Sequence, residues 1–513
     1  MPRSDAPHRW SRRRFIGAGA AWLGAGAAAR GAQRRVRTVS IIHTTDLHGH
    51  ILPTASYDGI TGVGGLARCA TCIRRWRHEN PHSLVVDVGD VYQGTAAGLA
   101  TRGQVMIRLF NHLGYDAWVI GNHDFDWGRA ALEGALAASR APVLAANLEV
   151  DGKPVARGAM AGAWRNVVPW TVREAGGFRI GLLGLTTPGL ASWLPPELLD
   201  GVAALDPVDA AAGAVKRLQA EKVDAVVVLG HMGWRFQDDF ANPVREILRR
   251  VRGIDVYLAG HSHQDQASWP LHGVVCSQAS YHGIHCGRVD LTFDADSRQL
   301  LDRRAFTVLM DDRFEPDPGV LAEAGADLRA ADDELARQVC VVDEPIGGKG
   351  RGCALATLFC EAFAAALKRA GHPVDGVFHG TFDSGDVAPG PVTVADAWRW
   401  IPFENRLVVA ELSAAELAEV VAEDAADKRS DRTLWPFQVE IDPAGRLQRV
   451  LFRGEEVPRE RRFRIACNAF DAQSAGRRLP RLAELVAAPP AKRLLTGLDT
   501  RTALVAHLRD RGE

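Results

Sequence analysis

Five short segments carry side chains able to hold divalent cations, and each follows a run of aliphatic or β-branched residues. They are SIIHTTDLHGH with Asp46 and His48, VVDVGD with Asp90, VIGNHDFD with Asn122 and His123, VVVLGHMGW with His231, and YLAGHSH with His261 and His263. Glycine close to these positions lets the backbone turn tightly and brings an ion near the main chain. Asp46, His48, Asp90 and His263 could hold one divalent ion, and Asp90, Asn122, His231 and His261 a second. Asp90 would then bridge the pair and keep the ions roughly 3.5–4 Å apart. Imidazole and carboxylate donors suit zinc, manganese or iron, and the neutral amide of Asn122 leaves positive charge for an anion. Two such ions bring the pKa of a shared water near neutrality and neutralise phosphoryl oxygens during in-line attack. His123 directly follows a ligand candidate, so it is expected to point past the ions toward substrate. There it would stabilise the transition state or protonate the leaving group, with Asp126 orienting its ring. Any one of these residues alone is more often structural. Their joint occurrence, each after a strand candidate, argues for a metal centre. His43, within a strand, and His50, just beyond the site, read as structural.

Converging five separate segments requires a scaffold that ends its strands on one side. From about Arg37 to Thr307, short β-branched runs alternate with helical patterns such as Gln104–Leu113. That alternation predicts a layered α/β domain. In open α/β sheets, binding groups gather at the carboxyl ends of strands. A charged, Ala-rich stretch over 313–338 reads as a linking helix, and 339–513 opens a second α/β pattern. The predicted organisation is therefore 1–33 as an export signal, 34–312 as the domain that carries the donor segments, 313–338 as the linker and 339–513 as a second α/β domain.

The chain has 513 residues, which calls for two domains. A formal net charge of −1 gives no electrostatic reason to expect a nucleic-acid polymer or an anionic membrane as partner. Among the eight cysteines, Cys69 and Cys72 form a C-x-x-C pair without a second pair at zinc-ribbon spacing. On an amphipathic helix they share one face and read as small buried residues. The N-terminus runs from Arg12, Arg13 and Arg14 into an Ala/Gly-rich apolar stretch with small residues at Ala27 and Ala29. This is the order of a cleaved signal peptide, and the arginine pair resembles the twin-arginine class. The apolar run is shorter than the ~20 residues needed to span a bilayer. Export to the periplasm, with the export machinery as a transient partner and no stable membrane insertion, is the expectation.

The motifs D-x-H, G-D, G-N-H-[DE], G-H and G-H-x-H, in this order, resemble those of the calcineurin-like metallophosphoesterases. The fuller forms HTTDLHGH, GDVYQGT and GNHDFDWG look like the bifunctional 5′-nucleotidase and 2′,3′-cyclic-nucleotide phosphodiesterase branch. The resemblance implies a four-layer α/β/β/α catalytic domain, a bridging helix and a C-terminal domain that binds the nucleoside and swings it to the metals. It carries metal-ligand roles to Asp46, His48, Asp90, Asn122, His231, His261 and His263, and the His–Asp pair to His123 and Asp126. It implies a two-metal phosphoesterase acting on nucleotides or related organic phosphates by attack of a metal-bound hydroxide.

The second domain departs from the family pattern. Phe403 in IPFENRL matches a phenylalanine that stacks on the base. The usual N-G-G-G-I-R segment reads FHGTFDSG, where His379 takes the Asn place and the Arg is missing. The G-G-D-G-[FY] segment reads AFDAQSAGRRL, which puts Arg477 or Arg478 near the second stacking position. A phosphate-binding Arg before the C-terminal domain's first helix would correspond to Lys349 or Arg351. These departures leave the leaving group open. A thiosulfohydrolase of sulfur oxidation on the same scaffold and a non-catalytic periplasmic binding protein are the alternatives.

Overall fold

Strand Val36–Thr44 illustrates the rule that builds the first half of the molecule. Successive side chains of a strand point to opposite faces. Val39 and Ile41 enter a core between two sheets, while Ile42 enters a core beneath helices. The computed structural model describes residues 35–382, 384–428, 430–442 and 447–512, so the expected export signal lies outside the described residues.

The first sheet has seven strands in the order Leu300–Leu309, His285–Asp294, Val36–Thr44, Ser83–Asp87, Ala117–Val119, Val143–Leu144 and Val167–Val168. From Val36–Thr44 onward the pairing is parallel. The second sheet has six strands, with Phe178–Leu185, Ala225–Gly230 and Val256–Ala259 running parallel at its centre. Phe178, Ile180, Leu182, Val227 and Leu258 meet Val39, Ile41, Val86, Val119 and Phe293 between the sheets. Helices Leu66–Glu79, Gln104–Leu113 and Arg129–Ala138 cover the outer face of the first sheet. Helices Pro207–Ala220 and Val244–Arg250 cover that of the second. The layers are helix, sheet, sheet, helix. Cys69 and Cys72 lie fully buried on the inner face of Leu66–Glu79.

Helix Pro318–Ala336 joins the two halves. Asp317 caps it by accepting the Val320 N–H at 2.9 Å, and proline opens the first turn, where its missing N–H costs nothing. Val320 and Ala324 pack on the first core, and Leu335 packs against that of the second half. There a five-stranded sheet runs in the order Thr433–Trp435, Gly376–His379, Arg462–Asn468, Arg406–Ser413 and Leu494–Asp499. Helices Ala354–Arg369 and Thr500–Gly512 pack on one face, and Ala414–Ala426 and Pro480–Ala487 on the other. Among the described residues, no helix is long and apolar enough to cross a membrane.

Candidate metal centre and substrate cavity

The five donor-bearing segments all leave the carboxyl ends of parallel strands, and the loops turn there through costly backbone. Asp46, His48, Asp90, His261 and His263 have φ of 50°, 47°, 54°, 67° and 55°. Non-glycine residues in this left-handed region cost of order 1–3 kcal/mol each and persist only where the surroundings impose them. The turns aim the side chains into one place. Asp46, His48 and His263 offer donor atoms within 4.8 Å of one another, as do Asp90, His231 and His261. Asn122 joins the second group, with Oδ1 3.2 Å from His231 Nε2.

Asp90 lies between the groups. Its Oδ1 accepts the His123 N–H at 2.8 Å. Its Oδ2 stands 3.1 Å from His231 Nε2 and 3.8 Å from His48 Nε2, is buried, and has no hydrogen-bond partner among the described residues. His48 Nε2 and His263 Nε2 face each other at 3.1 Å. An orphaned buried carboxylate oxygen is costly, and lone pairs aimed at one point suit a cation between them. The donor set therefore fits two divalent ions. Two imidazoles are oriented through their far nitrogens: His48 Nδ1 donates to the Gln93 carbonyl at 2.9 Å, and His231 Nδ1 to the Val88 carbonyl at 2.7 Å.

His123 continues from Asn122 into the cavity. Its Nδ1 donates to Asp126 Oδ2 at 2.7 Å. Burial opposes charge on the ring, but Asp126 and Asp90 raise its pKa to about 10. Asp124, next in the chain, was not singled out from sequence, although it completes the G-N-H-[DE] pattern. Its carboxylate accepts the N–H groups of Gly121 at 2.8 Å, Val91 at 2.9 Å and Asp90 at 3.2 Å, which ties two donor loops together.

Two of the donors, Asn122 and His261, with His123 and Asp126, line one wall of a cavity of about 530 Å³, whose opposite wall belongs to the second half of the chain. Phe403 is 42% exposed and stacks against His123, with ring centres 6.0 Å apart and planes 17° apart. His379 lines the cavity but is itself buried; its Nδ1 donates to the Gly380 carbonyl at 2.6 Å, and burial lowers its pKa to about 4. Arg478 lines it too, with its guanidinium 5.9 Å from the Phe470 ring.

Neither Lys349 nor Arg351 lines this cavity. The Arg351 guanidinium is captured by the Asp424 carboxylate and also donates to the Arg432 carbonyl at 3.0 Å. Lys349 is exposed. Arg432, which sequence reasoning missed, also lines the cavity. It donates to both Asp471 oxygens, at 2.8 and 2.7 Å. Asn468 and Glu404 were also missed. Glu404 joins the halves by accepting from Trp127 Nε1 at 2.7 Å and Arg501 Nη1 at 2.8 Å. The Trp127 pairing could not be read from spacing, because its partners lie 277 residues apart.

Residues 39–265 match the family model for calcineurin-like phosphoesterases. They form a calcineurin-like phosphoesterase domain. Residues 343–484, which include the residues of the opposite cavity wall, match the family model for the 5′-nucleotidase C-terminal domain. Over 433 residues, 78% of this chain and 28% of the relative, the sequence is 24% identical to the trifunctional nucleotide phosphoesterase protein YfkN of Bacillus subtilis. Over 233 residues, 44% of this chain and 37% of the relative, it is 33% identical to the snake venom 5′-nucleotidase of Gloydius brevicauda. The match thus spans well under half the length of these two curated relatives. The crystal structure of a 5′-nucleotidase precursor from Thermus thermophilus is similar at a TM-score of 0.69 and 26% identity, over 93% of this chain and 97% of that one.

Proposed function

We propose that this protein is an exported, metal-dependent phosphoester hydrolase that releases phosphate from nucleotides or closely related organic phosphates. The observation that carries the reading is the buried Asp90 Oδ2, without a hydrogen-bond partner among the described residues and flanked by two donor groups, of which Asn122 and His261 open onto a cavity that Phe403 lines from the other half. Asp46, His48, Asp90 and His263 would hold one ion, and Asp90, Asn122, His231 and His261 the other. Zinc, manganese and iron all accept such donors. Bound there, the two ions supply Lewis acidity and positive charge for phosphoryl oxygens.

The chain's own residues do the rest. His123, held by Asp126, presents a protonated imidazole toward the leaving-group side. Asp126 keeps the ring's second nitrogen facing the cavity. Phe403 offers a flat apolar face to an aromatic leaving group, and a base stacked on such a face gains about 1–3 kcal/mol. The names of the relatives favour a nucleoside as that leaving group.

The test is phosphate release from nucleoside 5′-monophosphates by the purified protein supplied with manganese or zinc. Activity is expected in the wild type and its collapse in Asp90→Asn; full activity in that variant would remove the two-ion basis. Turnover of a thiosulfonate on a carrier-protein cysteine, with none on nucleotides, would move the assignment to a thiosulfohydrolase. Close to two ions per chain on metal analysis would argue against a vestigial binding protein. The export part of the reading rests on Arg12, Arg13 and the apolar run after them. Replacing both arginines with lysine should abolish periplasmic activity, and unchanged activity there would reject the twin-arginine route.

A further inference from the structure

The third imidazole of the centre is oriented differently from His48 and His231. His263 Nε2 faces the donor cluster, 3.1 Å from His48 Nε2 and 3.4 Å from Asp46 Oδ1. A lone pair offered to a cation at Nε2 leaves the ring proton on Nδ1. That nitrogen lies 3.3 Å from the Tyr57 hydroxyl. Backbone carbonyls, those of Gln93 and Val88, steer His48 and His231. A side chain steers His263, and it sits on a two-stranded hairpin, Thr54–Ala55 with Thr61–Val63.

The hairpin is built to deliver that hydroxyl. Ser56 N–H donates to the Ile60 carbonyl at 2.8 Å, and Ile60 N–H returns a bond to Ser56 Oγ at 3.0 Å. Tyr57 lies on the Tyr281 ring, with centres 4.2 Å apart and planes 13° apart, and its own N–H donates to Tyr281 Oη at 2.8 Å. Two contacts therefore hold the phenol, while the residue as a whole remains 66% exposed. A stacked, exposed tyrosine needs no hydroxyl for packing. The hydroxyl is spent on His263.

We propose that Tyr57 is a positioning residue for the ion of the Asp46, His48 and His263 group. It fixes the tautomer and ring plane of His263 and so sets how tightly that ion is held relative to the one at Asp90, Asn122, His231 and His261. The hairpin is thereby a retention element for one half of the centre. Groups that accept the outer N–H of a ligating histidine typically contribute about 10- to 100-fold in metal affinity.

This inference rests on the two-ion reading, and the experiment separates the two. Full-length wild type, Tyr57→Phe and Tyr57→Ala are loaded with zinc and titrated with a chromophoric chelator, and retained metal is counted after dialysis. The expected result is two tightly held ions in the wild type and, in Tyr57→Phe, one ion weakened by about 10- to 100-fold with the other unchanged. Tyr57→Ala should weaken the same ion at least as much. Thermal melting of the metal-free Tyr57→Phe variant should match wild type, because the stack on Tyr281 is retained. Wild-type affinity for both ions in Tyr57→Phe, or equal weakening of both, overturns the role of Tyr57. A wild type that takes up fewer than two ions overturns the two-ion reading instead.

Discussion

At the residue scale, the proposed chemistry depends on groups held in protonation states that water alone would not favour. Removing the His123 imidazole with alanine should lower kcat by about 10²- to 10⁴-fold, the usual range for a positioned acid, with a smaller change in KM. Steady-state kinetics on a nucleoside monophosphate checks this, and Asp126→Asn should show a weaker version of the same loss. Asp124 carries a different burden. Three backbone N–H groups converge on its carboxylate. Asp124→Ala leaves them buried and unpaired at about 1–3 kcal/mol each, so chemical denaturation should show a loss of several kcal/mol. His43 links pH to stability. Both its ring nitrogens are buried without hydrogen-bond partners among the described residues, and burial lowers its pKa from 6.5 to about 3. The folded state therefore takes up a proton later than the unfolded chain. Stability is intact above pH 6.5 and is lost progressively as pH falls toward 3. Urea midpoints of chelator-treated protein should fall across that window, and less steeply in His43→Leu.

The donor loops work at the scale of elements, because each is seated on its neighbour. A methyl group on Gly121 would stand 2.2 Å from Asp90 Oδ1 and 2.5 Å from the Asp90 nitrogen. Gly121→Ala should therefore displace Asp90 and cut bound metal and activity together, while far-ultraviolet circular dichroism stays native. Much of this level was legible in the chain. A strand followed at once by Asp, Asn or His carries its donor locally, so five strand ends could be read one by one, and the period of alternation gave the layers. The Asp124 clasp escaped notice because its partners are backbone N–H groups, which have no letter in the sequence. Arg351 precedes helix Ala354–Arg369 as expected, yet Asp424, 73 residues away, captures its guanidinium. No spacing rule forecasts such a pairing, and Arg432 reaches the cavity for equally non-local reasons.

Across the whole molecule, neither half makes the cavity alone. Trp127 with Glu404 and Glu197 with Arg493 join the two halves beside it. Arg477 lies over the Phe240 ring at 4.0 Å, and the Ser192 carbonyl accepts the Gly476 N–H at 3.3 Å. The metal wall should set the rate, and the far wall should choose the leaving group. Phe403→Ala is expected to raise KM for nucleoside monophosphates by about 5- to 150-fold, from the lost stacking of about 1–3 kcal/mol. KM for a small aliphatic phosphate should hardly move. A substrate panel run on both proteins separates the two walls, and equal effects on all substrates would reject this division.

The left-handed turns at Asp46, His48, Asp90, His261 and His263 set folding against chemistry. Glycine would relax each of them, so a library of variants selected only for heat resistance should drift toward glycine or asparagine at these positions and go silent as an enzyme. Selection for turnover should restore the aspartates and histidines and give back some melting temperature. Positions where those two selections disagree would mark the reactive core of this chain.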